Sequence, residues 1–241
     1  MPTLRATPSS DTLIRRLGPA AWRALPALGT LGIVSLLVTA AIAWAVGWNL
    51  TFAVLPATVL LSPVIMWAID SLHEHMFDQP QRPRLTVRLV RVLVLTSLPI
   101  ALLTWVLIVV PLAEVSIFFQ LALYLGAAAA VATAAIATVA IPLGAVRGDV
   151  GLRALIIAAV LAVARRPLGA VAALTSTLAV AWCAGTWFLG LAVFIAPVWV
   201  VVSVVGAWTS AAAIGITTPR IATAHVADRI TSPTTSLGGQ S

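Results

Sequence analysis

Apolar residues run along this chain in long blocks broken by short charged interruptions, and the block lengths predict the elements. A helix that crosses the hydrocarbon core of a bilayer needs about 20 consecutive apolar residues and satisfies its own backbone hydrogen bonds. Residues 24–69 carry no charged side chain, which is room for two such helices around a turn at Gly47-Trp48-Asn49. Residues 92–113 make one span, and 115–146 make a long one ending near Pro142. Residues 154–164 are too few to cross. Residues 167–219 hold two more, with a turn near Leu189-Gly190. The pattern predicts an all-α membrane protein: a bundle of about six transmembrane helices with short interfacial cytoplasmic helices. It divides the chain into an N-terminal segment 1–27 with an amphipathic helix, a transmembrane domain 28–214, and a Ser/Thr/Gly-rich tail 215–241 that reads as largely disordered.

The arginines orient that bundle. All 14 basic residues are Arg. Arg5, Arg15, Arg16 and Arg23 precede the first span, and Arg82, Arg84, Arg88 and Arg91 fall between spans two and three. Arg147, Arg153, Arg165 and Arg166 fall between spans four and five, and Arg220 and Arg229 follow span six. The opposite connections hold one charge, Glu114. A six-span count therefore puts every Arg on one side, which the positive-inside bias identifies as cytoplasmic, with both termini there. Trp and Tyr favour membrane interfaces. Trp44, Trp48, Phe52, Trp105, Phe118, Phe119, Trp187 and Phe188 fall near the predicted outer ends. Trp22, Trp67 and Trp208 fall near the inner ones, and Trp199 is mid-span. The first apolar run is longer than a signal-peptide core and continues into a second span, so it reads as an uncleaved signal-anchor.

Composition agrees: 61% of residues are hydrophobic and 9% charged, against about 25% charged in soluble domains. The net charge of +7 does not imply nucleic acid, because the arginines cluster at the ends of apolar runs instead of forming one basic face. The single Cys183 can form no intrachain disulfide. The Arg-only, Ala-rich usage fits a bacterial source.

Three segments place Arg and apolar residues at helical spacing: 11–25, 84–91 and 152–164. In the second, Arg84, Arg88 and Arg91 form one basic stripe. Together with Arg165 and Arg166, these residues are expected to face membrane lipids or a cytoplasmic partner.

Candidate chemistry is sparse. Asp70, His73 and Glu74 share a helix face at i, i+3 and i+4, a spacing open to a divalent metal. The order His73-Glu74-His75 is not the HExxH zinc motif, and the alternative is a helix end whose acids offset the neighbouring arginines. No Walker lysine, GxSxG or paired intraspan carboxylate occurs. No cofactor and no enzymatic activity are expected. Pro56, Pro63, Pro99, Pro142 and Pro197 lie within the spans, as transmembrane helices tolerate. The Ala-rich run from Gly126 suits close helix packing. Span hydroxyls such as Ser62, Thr96, Thr133 and Ser203 are expected to bond backbone carbonyls.

Two stretches carry a family resemblance. Leu55-Pro-Ala-Thr-Val-Leu-Leu is one. The other is Ala140-Ile-Pro-Leu-Gly-Ala-Val, followed by Leu152-Arg-Ala-Leu-Ile-Ile-Ala-Ala-Val-Leu-Ala-Val-Ala-Arg-Arg-Pro-Leu. In these the chain resembles the YesL-like family of bacterial integral membrane proteins. It departs at Leu55, where a glycine is usual, and at Ala154, where an Asn-Ala pair is typical. Members often stand beside carbohydrate ABC-transporter genes. The resemblance therefore implies an accessory or scaffold role near sugar uptake, with ABC-transporter subunits as partners. The alternative reading is a channel or facilitator for a small neutral solute.

Overall fold

A computed structural model describes residues 10–47, 50–77, 85–110, 116–146 and 150–214. Among them are eight α-helices, one 3₁₀ helix and no strand. The helices are α1 (Ser10–Arg23), α2 (Leu25–Ala45), α3 (Leu50–Met76), α4 (Leu85–Val109), α5 (Ile117–Val146), α6 (Leu152–Arg165), α7 (Leu168–Thr186) and α8 (Ile195–Ala213). The 3₁₀ helix, Leu189–Phe194, leads into α8.

The six long helices correspond in order to the six expected spans. Five of the apolar segments (α2, α4, α5, α7, and the 3₁₀ helix with α8) are long and apolar enough to cross a membrane. The sixth, α3, has 27 residues and no charge before Asp70. At 1.5 Å per residue α5, with 30 residues, is about 45 Å long, more than the hydrocarbon core, so it tilts or extends beyond it. α1 and α6 have 14 residues each and are too short to span. The chain is an all-α bundle of membrane-spanning helices.

Local sequence explains the boundaries. Pro26 sits in the first turn of α2, where a missing N–H costs nothing. Gly47 ends α2 with φ +69°, a left-handed conformation that side chains resist, and its N–H donates to the Trp44 carbonyl at 3.2 Å. The expected turn at 47–49 thus begins as predicted, while residues 48–49 lie outside the described set. The turn near Leu189-Gly190 takes the form of the 3₁₀ helix. One expectation is corrected: 84–91 is not a separate surface helix. From Leu85 onward these residues are the first turns of α4 itself, which runs unbroken to Val109 with Pro99 inside it.

α4 packs along α5, and α7 along α8, more extensively than any other pairs, while α3 bridges α2 and α4. The core concentrates at one end. Every residue from Ala137 to Val146 of α5 is buried, and most of its apolar members share one core with Val200, Val204, Ala207 and Ala211 of α8 and Ile69, Leu72 and Met76 of α3. α7 and α8 meet backbone to backbone at Gly169 and Gly206. A Cβ on Gly169 would lie 2.7 Å from the Gly206 Cα and carbonyl oxygen, so only glycine permits this crossing. The small-residue run of α5 is used on one side: Gly126 and Ala130 are buried, with Gly126 against Trp105 of α4.

Candidate functional site

The C-terminal turns of α3 meet the first turns of α4 because the two helices are antiparallel neighbours. This places Asp70 opposite Arg88, and the two form an ion pair with little solvent contact on either side chain. Arg88 and Arg91 are only 5% and 7% exposed. A positive charge near a helix N-terminus is opposed by the helix dipole, so both guanidiniums need compensation from elsewhere. Arg88 obtains it from Asp70. Arg91 reaches the end of α5, donating through Nη1 to the Gly144 carbonyl at 3.3 Å and through Nη2 to the Val150 carbonyl. Carbonyls in the last turn of a helix lack intrahelical donors, and a cation there also suits the dipole.

One turn beyond Asp70, His73 is 1% exposed. Its Nε2 accepts a hydrogen bond from the Trp208 indole N–H of α8 at 3.0 Å. An accepting Nε2 carries no proton, so the neutral ring carries its hydrogen on Nδ1. Phe77 stacks on His73 with centroids 5.8 Å apart and meets Trp208 at 5.1 Å and 63°. Two residues after Trp208, the Ser210 hydroxyl donates to the Arg166 carbonyl at 3.1 Å, at the junction of α6 and α7. Four ties therefore join α3 to α4, α4 to α5, α3 to α8, and α8 to the α6–α7 junction. All of them lie where the C-termini of α3, α5 and α8 meet the N-termini of α4 and α7.

These positions correct two sequence expectations. Arg88 and Arg91 do share a helical face, but that face turns inward to Asp70 and α5, away from lipid or a partner. Apolar neighbours cannot compensate charge, whereas a carboxylate and helix-end carbonyls can. Arg84 lies outside the described residues. Arg165 and Arg166 are exposed, as the outward reading requires. Trp208, expected at the inner interface, is 0% exposed and fills the space between α3 and α8.

The metal candidates are not gathered. Asp70 faces Arg88, His73 gives Nε2 to Trp208, and Glu74 is exposed. No group of three or more His, Cys, Asp or Glu side chains suited to a metal occurs among the described residues. The hydroxyls behave as expected. Ser62, Thr96, Thr133, Thr138, Thr175 and Ser203 each donate to a carbonyl three or four residues earlier on their own helix.

The Trp208–His73 bond escaped the sequence reading because its partners are 135 positions apart. The only available signal was the burial-prone setting of Trp208 among Gly206, Ala207 and Ala211.

In comparisons against family models, curated proteins and solved structures, nothing matches this chain.

Proposed function

We propose that this chain is a non-enzymatic scaffold or accessory subunit in the bacterial cytoplasmic membrane. In this reading its arginine-rich end and both termini face the cytoplasm, and it supports a transport system. The observation that carries the reading is that buried polar side chains of the bundle are used to tie helix to helix, through one another and through backbone carbonyls. Asp70, Arg88, Arg91, His73, Trp208 and Ser210 bind helices together, and the span hydroxyls turn back on their own helices. Side chains used in this way build a rigid body. The resemblance to the YesL-like family directs the proposal to ABC-transporter subunits of carbohydrate uptake. The one-sided arginines support the orientation.

The test is purification of the tagged protein from its native membrane in mild detergent, with mass spectrometry of what accompanies it. Stoichiometric ABC permease or ATPase subunits are the expected result. Recovery of the chain alone, combined with leakage of a small neutral solute from liposomes containing it, would replace the scaffold reading with a channel. Orientation is checked in a Cys183→Ala background. A cysteine at Glu114 should label from outside intact cells and one at Arg153 should not, and the reverse pattern would invert the topology.

A further inference from the structure

α6 presents an outward face that is apolar in the middle and cationic at both ends. Its inner face, Leu155, Ala159 and Ala162, is buried against α5 and α8. On the other side Ile157, Val160 and Leu161 are exposed, with Arg153 before them and Arg165 and Arg166 after. The chain has no acidic residue between Asp149 and Asp228. Among the described residues none of these three arginines forms an ion pair.

The backbone carrying the Arg165-Arg166 pair is held from both sides. The Arg166 N–H donates to the Ala162 carbonyl at 2.9 Å, and the Arg166 carbonyl accepts from Ser210 at 3.1 Å. The two guanidiniums therefore project from an anchored turn, separated by Pro167 from Leu168, which is exposed on α7. A helix too short to span, with an apolar outer face and arginines at its ends, suits the plane of the interface, its apolar side toward the acyl region and its arginines at the phosphate level.

We propose that the outward face of α6, with the Arg165-Arg166 turn, binds the headgroups of anionic phospholipids in the leaflet at the arginine-rich end. The cationic charge of Arg153, Arg165 and Arg166 selects the anion. Beyond the arginine pair, α7 exposes Leu168 and Val171, apolar surface that suits an acyl chain and not an acidic soluble segment. This proposal goes beyond the scaffold reading and stands on different residues.

The test uses native mass spectrometry and melting curves of the full-length protein in mild detergent, titrated with phosphatidylglycerol or phosphatidylcholine. Wild type should retain phosphatidylglycerol preferentially and melt higher in it. Arg153→Gln, Arg165→Gln and Arg166→Gln should each weaken that retention by about fivefold. The triple variant should lose the preference while melting as wild type does in phosphatidylcholine, and the matching triple lysine variant should keep it. If the triple glutamine variant fails to fold, the single variants supply the reading. The control pair Arg15→Gln and Arg23→Gln on α1, both exposed, should leave most of the preference intact. An unchanged preference in the triple variant would overturn the proposal, as would an equal loss in the α1 control. Competition by soluble glycerol phosphate at matched concentration would overturn the lipid assignment. Absence of preference in wild type, with a co-purifying protein that the triple variant loses, would assign the face to a protein instead.

Discussion

The two ends of this bundle hold their helices by different means. At the arginine-rich end the last ten residues of α5 are buried, and Asp70–Arg88, Arg91–Gly144 and Trp208–His73 run from helix to helix. At the opposite end Trp44, Phe118, Trp187 and Phe188 all point outward. Lipid is as apolar as a leucine side chain, so burying apolar surface between helices contributes little inside a bilayer. Close packing and interhelical hydrogen bonds must supply the association. The arginine-rich end has both. The aromatic end has close packing at Gly126 against Trp105 but, among the described residues, no side-chain hydrogen bond between helices, and its exposed rings suit the headgroup region. One end sets how the helices are arranged, and the other sets where the bundle sits.

The sharpest way to break this comparison is to break the ion pair. Arg88→Ala leaves Asp70 charged in a nearly closed site, and losing one partner of a buried pair costs about 3–5 kcal/mol. Unfolding of the purified protein by SDS titration in mixed micelles, followed by tryptophan fluorescence, should show that loss. Replacing both partners with apolar residues of similar size, Asp70→Leu with Arg88→Met, should recover most of it, because the desolvation penalty then disappears as well. A double variant as unstable as Arg88→Ala would show that the charges act through something other than each other.

Next in size is the glycine crossing. Gly206→Ala puts a methyl against the Gly169 backbone, 2.8 Å from its carbonyl oxygen, and neither backbone can yield without moving its helix. The expected cost is about 1–3 kcal/mol by the same titration. Gly185→Ala on α7, whose added methyl meets nothing within 4 Å, should be neutral or slightly stabilising, since alanine is the better helix former.

A smaller effect belongs to Trp208. Trp208→Phe keeps most of the ring volume and removes the N–H that satisfies His73 Nε2, a loss of about 1–2 kcal/mol. In a double-mutant cycle with His73→Leu, the two changes should be strongly non-additive, because they remove the same bond. Additive losses would mean that Trp208 acts through packing alone.

Much of this architecture was legible in the sequence. Charged residues cannot sit unpaired in hydrocarbon, so their spacing bounds the helices, and Gly47 falls where a turn is expected. What spacing could not supply was the identity of the surface each helix face meets. Arg88 and Arg91 were correctly placed on one face, yet the same periodicity describes an arginine turned to lipid and one turned to a carboxylate on the preceding helix. Trp208 shows the same limit. Tryptophan near the end of an apolar run reads as an interface anchor, and only the folded bundle brings His73 beside it. Trp44 and Trp187, by contrast, are exposed, as a tryptophan at the interface would be, while Trp105 is half turned to Gly126 of α5.

The aromatic end supplies the smallest expected change and the cleanest contrast. Trp187 is 82% exposed, so Trp187→Ala removes almost no protein contact. In detergent micelles its effect on unfolding should stay within about 0.5 kcal/mol, as for surface substitutions generally. In a bilayer the same change removes a ring suited to the headgroup region, so its consequence should appear in position and not in stability. A spin label at the adjacent Phe188, in the Cys183→Ala background, should report a changed immersion depth in liposomes while the melting curve in micelles stays where it was. If Trp187→Ala destabilised the micellar protein as much as Trp208→Phe does, the aromatic end would be holding helices together after all, and the division of labour between the two ends would fail.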